Sequence, residues 1–151
     1  MGYIMDLRKV VGSRPLIMAG SCVLVFNQDR ELLLQRRTDT NDWGTIGGSL
    51  ELGESLEEAA ARELYEEAGL IAKSFKFITV LSGKDMYFRY PHGDEVYNVM
   101  AVFEAKEIEG IPKVNDDESY ELKYFSLDEP VEDLNSFTEY YLRRAGYITK
   151  W

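Results

Sequence analysis

Residues 47–70 read GGSLELGESLEEAAARELYEEAGL and form the strongest local pattern in the chain. Ser55 is followed three residues later by Glu58, which is the spacing of a helix-capping box, and the alanines and leucines after it favour helix. Gly69 supplies a stop, because glycine readily takes the left-handed conformation that ends many helices. The stretch therefore predicts a helix capped by Ser55 and ended at Gly69.

Three carboxylates fall on one face of this helix. Glu63, Glu66 and Glu67 occupy positions i, i+3 and i+4, where like charges repel and destabilise a helix. A hard cation such as Mg²⁺ needs this clustering, because it prefers carboxylate and water oxygens. The glutamates alone fit a solvated surface equally well, but a glycine pair upstream, Glu54 before the helix and Arg62 beside Glu63 favour a metal site.

Strand-like segments lie on both sides of this stretch. Turn residues Asn27 to Arg30 separate the first two of these segments, which predicts a β-hairpin. Apolar residues at helical spacing predict a further helix within 131–145. A mixed sheet sandwiched between helices is expected, an α/β class, with 1–151 as one domain. The predicted strands are 16–26, 31–37, 75–81, 86–90, 95–104 and 122–125.

The glutamate stretch resembles the motif that defines Nudix hydrolases. That motif is glycine, five residues, glutamate, seven residues, Arg-Glu, an aliphatic residue, any residue, Glu-Glu, any residue, glycine and an aliphatic residue. One departure is Ile46, where many members have a proline that contributes shape and no ligand atoms. The resemblance implies the Nudix fold. The matching residues are Gly48, Glu54, Arg62, Glu63, Leu64, Glu66, Glu67, Gly69 and Leu70.

The resemblance also implies a function. Nudix hydrolases use Mg²⁺, for which Mn²⁺ can substitute, to cut a diphosphate linkage in a nucleoside diphosphate derivative. ADP-ribose, a nucleoside triphosphate, a dinucleoside polyphosphate and a nucleotide sugar all stay open as substrates. The implied metal ligands are the carbonyl of Gly47 and the carboxylates of Glu63, Glu66, Glu67 and Glu118.

The implied catalytic roles involve the same region. Glu63 is favoured as the base that activates water, with Glu118 as the second candidate, and Arg62 is expected to orient the Glu63 carboxylate. Glu121 competes with Glu118 for the role of the loop glutamate that approaches the metals. Glu54 is expected to brace the loop or to reach a metal through water.

Positive and aromatic residues outside the motif are candidates for substrate binding. Arg36 and Arg37 end the second strand, and adjacent strand residues point to opposite faces, so only one can readily contact a phosphate. Ordinary surface charge is the alternative for both. Aromatic faces stack on any nucleobase, although aromatic residues in strands more often belong to the core. The stacking candidates are Trp43, Phe88, Tyr90 and Tyr97, and Tyr97 is included among the predicted substrate-binding residues.

Charge and composition limit the partners. The net charge of −10 argues against a broad nucleic-acid surface, because backbone binding depends on clustered Lys and Arg. A small nucleotide substrate stays compatible with this acidity when divalent cations intervene. The sequence has no membrane-length apolar run and no signal-peptide pattern, so a cytoplasmic location is expected. Dimers are common in the family, which makes a homodimer compatible with the resemblance.

Two other functions on the same scaffold stay open. A Nudix-like domain that senses a nucleotide without hydrolysing it usually lacks the motif glutamates, which this chain keeps. An isomerase acting on isopentenyl diphosphate needs a reactive cysteine near the site. Cys22, the single cysteine, lies in the apolar run CVLVF and is expected to be buried. His92, the single histidine, lies in a turn and is expected at the surface.

Overall fold

The computed structural model describes residues 2–151. Within this range the chain forms three α-helices and eight strands, and a 3₁₀ turn at Lys84–Met86. In chain order the helices and strands are α1 (Tyr3–Val11), β1 (Leu16–Leu24), β2 (Leu32–Arg37), β3 (Trp43–Gly44), β4 (Ile46–Ser49), α2 (Leu56–Ala68), β5 (Ile71–Leu81), β6 (Tyr87–Arg89), β7 (Glu95–Glu109), β8 (Ser119–Phe125) and α3 (Ser136–Arg144).

The strands form a larger mixed sheet and a smaller antiparallel sheet. In the larger sheet the order is β4-β1-β7-β5, with β6 paired to β7 and with β1 running parallel to β7. The smaller sheet has the order β3-β2-β8. The mixed sheet confirms the predicted α/β class, and the second sheet is an addition to the prediction.

The predicted hairpin between the first two strands forms only at its turn, and the strands do not pair along their length. β1 pairs with β4 on one side and with β7 on the other, so neither of its edges is left for β2. The two segments are joined only next to the turn, by the isolated bridge Phe26–Leu32 and by hydrogen bonds from the Asn27 amide to the Glu31 carbonyl and from the Leu33 amide to the Val25 carbonyl. The turn itself forms, since Asn27 Oδ1 accepts hydrogen bonds from the amides of Asp29 and Glu31 at 3.0 and 2.9 Å. The chain therefore turns where predicted but crosses from one sheet to the other.

Alternating residues of β1 face two apolar clusters. Cys22 and Leu24 belong to one cluster, to which α3 contributes Leu142. Val23 belongs to the other, to which α2 contributes Leu64. All five side chains are at most 1% exposed, which confirms the expected burial of Cys22. Burial on both faces explains the continuous apolar run in β1, and it places α2 and α3 on opposite sides of the larger sheet.

Three elements are absent from the sequence-based prediction: helix α1, the two-residue strand β3 and strand β4. Helix α1 has Gly2 at its N-cap and no side-chain cap, so it lacks the local signal that marks α2. Strand β4 contains Gly47 and Gly48, and glycine is depleted in strands. β4 forms because it pairs antiparallel with β1, a contact that a local pattern does not reveal.

The C-terminal helix is shorter than the predicted segment. Asn135 caps it by accepting hydrogen bonds from the amides of Phe137 and Thr138, so α3 begins at Ser136. The preceding residues form turns and the isolated bridge between Leu134 and β3. None of the helices in the described part of the chain is long and apolar enough to span a membrane.

Helix α2 forms as predicted and owes its start to a capping box. Ser55 Oγ accepts from the Glu58 amide at 3.0 Å, and Glu58 Oε1 accepts from the Ser55 amide at 2.9 Å. We expect Ser55→Ala to lower the free energy of unfolding by about 0.5–2 kcal/mol. Urea denaturation measures this change, with Ser82→Ala, at an exposed serine outside the helices and strands, as the control. Equal losses in the two variants would contradict the role of the cap.

Candidate active site

Arg62 connects the carboxylates of α2 to the loop that precedes the helix. Its Nε and Nη2 donate to the two oxygens of Glu54 at 2.7 and 2.9 Å. Its Nη1 donates to Glu63 at 2.7 Å and to Glu66 at 3.2 Å. Nη2 also donates to the carbonyl of Ser49 at 2.9 Å. Hydrogen bonds from the guanidinium lower the pKa of Glu54. Arg62 thus fixes the direction of the Glu63 carboxylate, and Glu54 braces the loop.

The Glu63 carboxylate lies directly against the backbone of Gly48. A Cβ atom added to Gly48 would lie 2.5 Å from Glu63 Oε1 and 2.6 Å from Cδ, which is closer than real Cβ atoms approach other atoms. Glu63 is 8% exposed, so its carboxylate has little room to move aside. Glycine is therefore required at position 48 for Glu63 to occupy this place.

Glu67 is the most deeply buried of the motif glutamates. Its Oε1 accepts a hydrogen bond from Gln35 Nε2, and its Oε2 accepts one from the Gly47 amide at 3.4 Å. Burial, together with the neighbouring Glu63 carboxyl group, raises the pKa of Glu67 well above its ordinary value, while Gln35 and Arg37 oppose the shift. A cation next to Glu67 would favour its charged form.

Gln35 is a functional candidate that the sequence analysis missed. It is 1% exposed in β2, and its Nε2 also donates to the carbonyl of Thr45 at 3.1 Å. Its Oε1 is buried without a hydrogen-bond partner among the described residues, which costs about 1–3 kcal/mol. The bond to Glu67 offsets part of this cost. The available signal was a polar residue that directly follows the apolar run Leu32–Leu34.

The donor chemistry of this face fits a hard divalent cation. Carboxylate oxygens of Glu63, Glu66 and Glu67 come from one helix, and such oxygens are the preferred ligands of Mg²⁺. Within residues 2–151, no three acidic, histidine or cysteine side chains already converge on one point. Arg62 holds Glu63 and Glu66, whereas Gln35 holds Glu67, so two of the three carboxylates share one partner and the third has another.

The two later glutamate candidates, Glu118 and Glu121, lie in different surroundings. Glu118 precedes β8 and lines the same groove as Glu63. Although the residue as a whole is exposed, partial burial of its carboxyl group and the nearby charges of Asp116 and Glu63 raise its pKa. Glu121 pairs with Arg36 across β2 and β8 and is not part of that groove. The structure thus brings Glu118, and not Glu121, to the site.

The two adjacent arginines diverge, as the alternation of strand residues predicts. Arg37 lines the groove, and its Nε and Nη2 donate to the two oxygens of Asp39 at 2.9 and 3.0 Å. Arg36 points to the other face, where it donates to Tyr120 at 2.9 Å and to Asp133 at 3.2 Å. Arg36 therefore lies outside the groove and Arg37 lines it, and a substrate contact by either arginine stays a prediction.

A cavity of about 130 Å³ with aromatic walls lies between the larger sheet and α3. Phe88 packs edge-on against Tyr90, with ring centroids 4.9 Å apart, and lies 5.6 Å from Phe137. Tyr141 and Asn98 also line the cavity. Phe88 and Tyr90 were predicted as stacking candidates, and the helix predicted within 131–145 adds Phe137 and Tyr141 to the cavity.

The other two stacking candidates lie elsewhere. Trp43 is 6% exposed and packs edge-on against Phe125 in the core, with ring centroids 4.8 Å apart. Tyr97 lies next to Tyr87, with ring centroids 5.3 Å apart, and lines neither the aromatic cavity nor the groove. Its neighbour Asn98 does line the aromatic cavity, so Tyr97 faces away from it. The structure therefore does not bring Tyr97 to the other candidate residues, and its predicted role in substrate binding stays a prediction.

The aromatic cavity continues into a groove of about 300 Å³ that contains Glu63, Glu118 and Arg37. The cavity and the groove share Arg37 and Tyr90 as lining residues, so they form one continuous cleft. His92 is exposed, as expected, but its ring stacks on Tyr90 at 5.5 Å with an interplanar angle of 3°. The cleft therefore joins an aromatic compartment to an acidic groove at the motif helix.

The profile of the NUDIX domain matches residues 17–145. The chain belongs to the Nudix hydrolase family. Members of this family generally depend on a divalent metal. The carboxylates described above are those of the Nudix motif, and the matched segment contains the whole aromatic cavity. Helix α1 lies before the matched segment.

Three Nudix relatives illustrate the similarity. An ADP-ribose pyrophosphatase of Methanocaldococcus jannaschii is 35% identical over 107 residues, covering 69% of this chain and 59% of that protein. The NAD-capped RNA hydrolase NudC of Haemophilus influenzae is 26% identical over 123 residues, covering 78% of this chain and 43% of that protein. The chain thus spans less than two thirds of these curated relatives. The crystal structure of a MutT NUDIX hydrolase from Burkholderia pseudomallei superposes with a TM-score of 0.70 at 26% identity, covering 86% of this chain and 97% of that one.

The contact between Gly48 and Glu63 gives a test of the Nudix site. We expect Gly48→Ala to displace the Glu63 carboxylate and to lower kcat for a nucleoside diphosphate substrate by about 10²-fold, with the fold retained. The comparison variants are Glu63→Gln and the double variant, with folding checked by thermal unfolding. Because both changes act on one carboxylate, the double variant should lose little more than Glu63→Gln alone. Losses that multiply in full would show that the two residues act independently.

Proposed function

We propose that this chain is a Mg²⁺-dependent hydrolase that cleaves the diphosphate linkage of a nucleoside diphosphate derivative. The observation that carries the proposal is the carboxylate of Glu63, held by Arg62 against Gly48 at the edge of the groove. A carboxylate fixed in this way is suited to move a proton between water and a substrate. Similarity to an ADP-ribose pyrophosphatase supports the same class of substrate.

The two compartments of the cleft suit the two parts of such a substrate. A nucleobase can stack against the aromatic wall to which Phe88 and Phe137 belong, because its flat face matches an aromatic ring. The diphosphate then lies in the groove beside Arg37. Asp39 engages Nε and Nη2 of Arg37, so Nη1 is the nitrogen that would donate to a phosphate oxygen.

The acidic face of α2 would hold the magnesium ion. Glu66 and Glu67 are the proposed ligands, together with Glu63 and the carbonyl oxygen of Gly47. A bound divalent cation neutralises diphosphate charge and stabilises the leaving phosphate. Gln35 keeps the Glu67 carboxylate in a fixed direction by donating to its Oε1. Mn²⁺ is expected to substitute, because carboxylate, carbonyl and water oxygens suit both ions.

Glu63 is the proposed general base. Its carboxylate accepts a proton from a water molecule, and the water oxygen bonds to phosphorus. The bridging phosphorus–oxygen bond breaks, and its electron pair leaves with the departing phosphate. Glu118 is the second candidate, because it borders the same groove. Glu63 is favoured because it lies on a helix and is held by Arg62, whereas Glu118 lies in a loop.

Isomerase chemistry is not favoured by the environment of the single cysteine. Cys22 borders the aromatic cavity, but it is 1% exposed and its Sγ lies 3.2 Å from Thr45 Oγ1. Burial raises the pKa of the Cys22 thiol to about 12, so the thiol stays protonated at neutral pH. This group is therefore poorly suited to be the reactive cysteine that an isomerase requires.

The metal-dependent mechanism predicts the behaviour of the helix variants. Glu66→Gln and Glu67→Gln should each lower kcat by about 10²-fold or more, because a metal contributes several kcal/mol to transition-state stabilisation. Glu57→Gln, an exposed position on the same helix, is the matched control. The assay detects phosphate released by a coupled phosphatase from ADP-ribose, nucleoside triphosphates, dinucleoside polyphosphates and nucleotide sugars. Turnover in excess chelator would contradict the proposal, and binding without product would instead indicate a nucleotide sensor.

The two candidates for the base can be ranked by the same assay. Removing a general base typically costs about 10²–10⁴-fold in rate. We therefore expect Glu63→Gln to lower kcat more than Glu118→Gln does, with both proteins still binding Mg²⁺. Glu121→Gln, which alters a glutamate outside the groove, should retain wild-type kcat. A larger loss in Glu118→Gln would make the loop glutamate the base.

A further inference from the structure

Helix α1 lies across the groove and contacts both of its sides. At its start, the Tyr3 amide donates to Glu51 Oε1 at 2.8 Å, in the loop before α2. Near its end, Arg8 Nη2 donates to the Glu95 carbonyl at 2.6 Å, at the first residue of β7. Ile4 and Met5, between these two anchors, line the groove. The helix therefore forms a wall of the cleft from outside the segment matched by the family profile.

Arg8 anchors this wall and has little capacity left for a ligand. Its Nη1 donates to the carbonyls of Gly12 and Arg14 at 2.9 and 2.5 Å. Its Nε lies 3.6 Å from Asp94 Oδ2, and its side chain is 8% exposed. The charge of Arg8 is thus compensated and its donors are occupied. Arg8 positions α1 and does not offer a free guanidinium to a phosphate.

The groove beneath α1 combines apolar side chains with negative charge. Ile4 and Met5 face it together with Val96 of β7. Its acidic residues are Glu63, Glu118 and Asp94, whereas its cations Arg37 and Arg8 are both paired with carboxylates. The proposed diphosphate takes up Arg37 Nη1 and the metal ion, so a third phosphate would meet the remaining apolar groups and carboxylates of the groove, which is unfavourable because a charge removed from water needs a partner. An uncharged organic group meets no such penalty.

We propose that α1 forms the binding wall for the group attached to the second phosphate, and that this wall selects nucleoside diphosphates carrying an uncharged group, such as a sugar, over nucleoside triphosphates. This inference rests on the proposed function. Ile4 and Met5 pack against the uncharged group, and the volume of about 300 Å³ is at the lower end of the range for small-molecule sites. The family motif acts on the diphosphate, and α1 contacts the uncharged group that the diphosphate carries.

The test compares two variants with the same charge change on the same helix. Met5→Lys places a cation in the groove, whereas Val10→Lys places one at a position that is 83% exposed and outside the groove. For each protein, kcat/KM is measured for ADP-ribose and UDP-glucose and for ATP and UTP. In the wild type, the higher kcat/KM of the two sugar derivatives should exceed the higher kcat/KM of the two triphosphates by about tenfold or more, as expected for a difference in pocket contacts. Met5→Lys should lower that preference by about tenfold, and Val10→Lys should leave it within about twofold.

The outcomes separate this inference from the proposed function. If wild type hydrolyses triphosphates as well as the sugar derivatives, or if both lysine variants shift the preference equally, the role of α1 is wrong while the hydrolase proposal stands. If wild type hydrolyses none of the four nucleotides with Mg²⁺ or Mn²⁺, although it binds them, the hydrolase proposal fails and the role of α1 fails with it. A selective shift in Met5→Lys alone supports the wall.

Discussion

The hydrogen bonds of Arg62 are the interaction on which the candidate site depends. Glu54, Glu63 and Glu66 would repel one another if they were gathered without a cation, and the guanidinium contacts all three. Charge-assisted bonds of this kind are stronger and more directional than neutral ones. They fix the loop before α2 relative to the helix and aim Glu63 at the Gly48 backbone. The same side chain thus stabilises the fold locally and orients the proposed base.

The larger sheet brings the motif helix next to the aromatic cavity, which is the proposed site for the nucleobase. β1 is paired on both edges, and its two faces carry α2 and α3 on opposite sides. The aromatic cavity opens beside Gly47 and Gly48 of β4, so a nucleobase held there would lie close to the glutamates of α2. The proposed recognition and cleavage of the nucleotide therefore depend on elements far apart in the chain, which meet through the pairing of β1.

Local sequence patterns predicted the parts of the molecule that depend on local contacts. The capping box, Gly69 and the spacing of the glutamates define α2 within a few turns, so the motif and its helix could be identified directly. The division into two sheets, helix α1 and the role of Gln35 depend on pairing or side-chain contacts between distant residues, which no local pattern contains. For Arg36 and Arg37, strand alternation predicted that one faces the site, but the choice required the register of β2 against β8.

The central claim is that the acidic face of α2 holds a divalent cation beside the diphosphate of a nucleotide. Crystals grown with Mn²⁺ and a non-hydrolysable ADP-ribose analogue, measured at the manganese absorption edge, test this claim most directly. We expect an anomalous peak within coordination distance of Glu66 or Glu67, with the analogue's diphosphate on the same ion. An analogue bound in the cleft with no manganese at α2, or with manganese only at other residues, would contradict the claim.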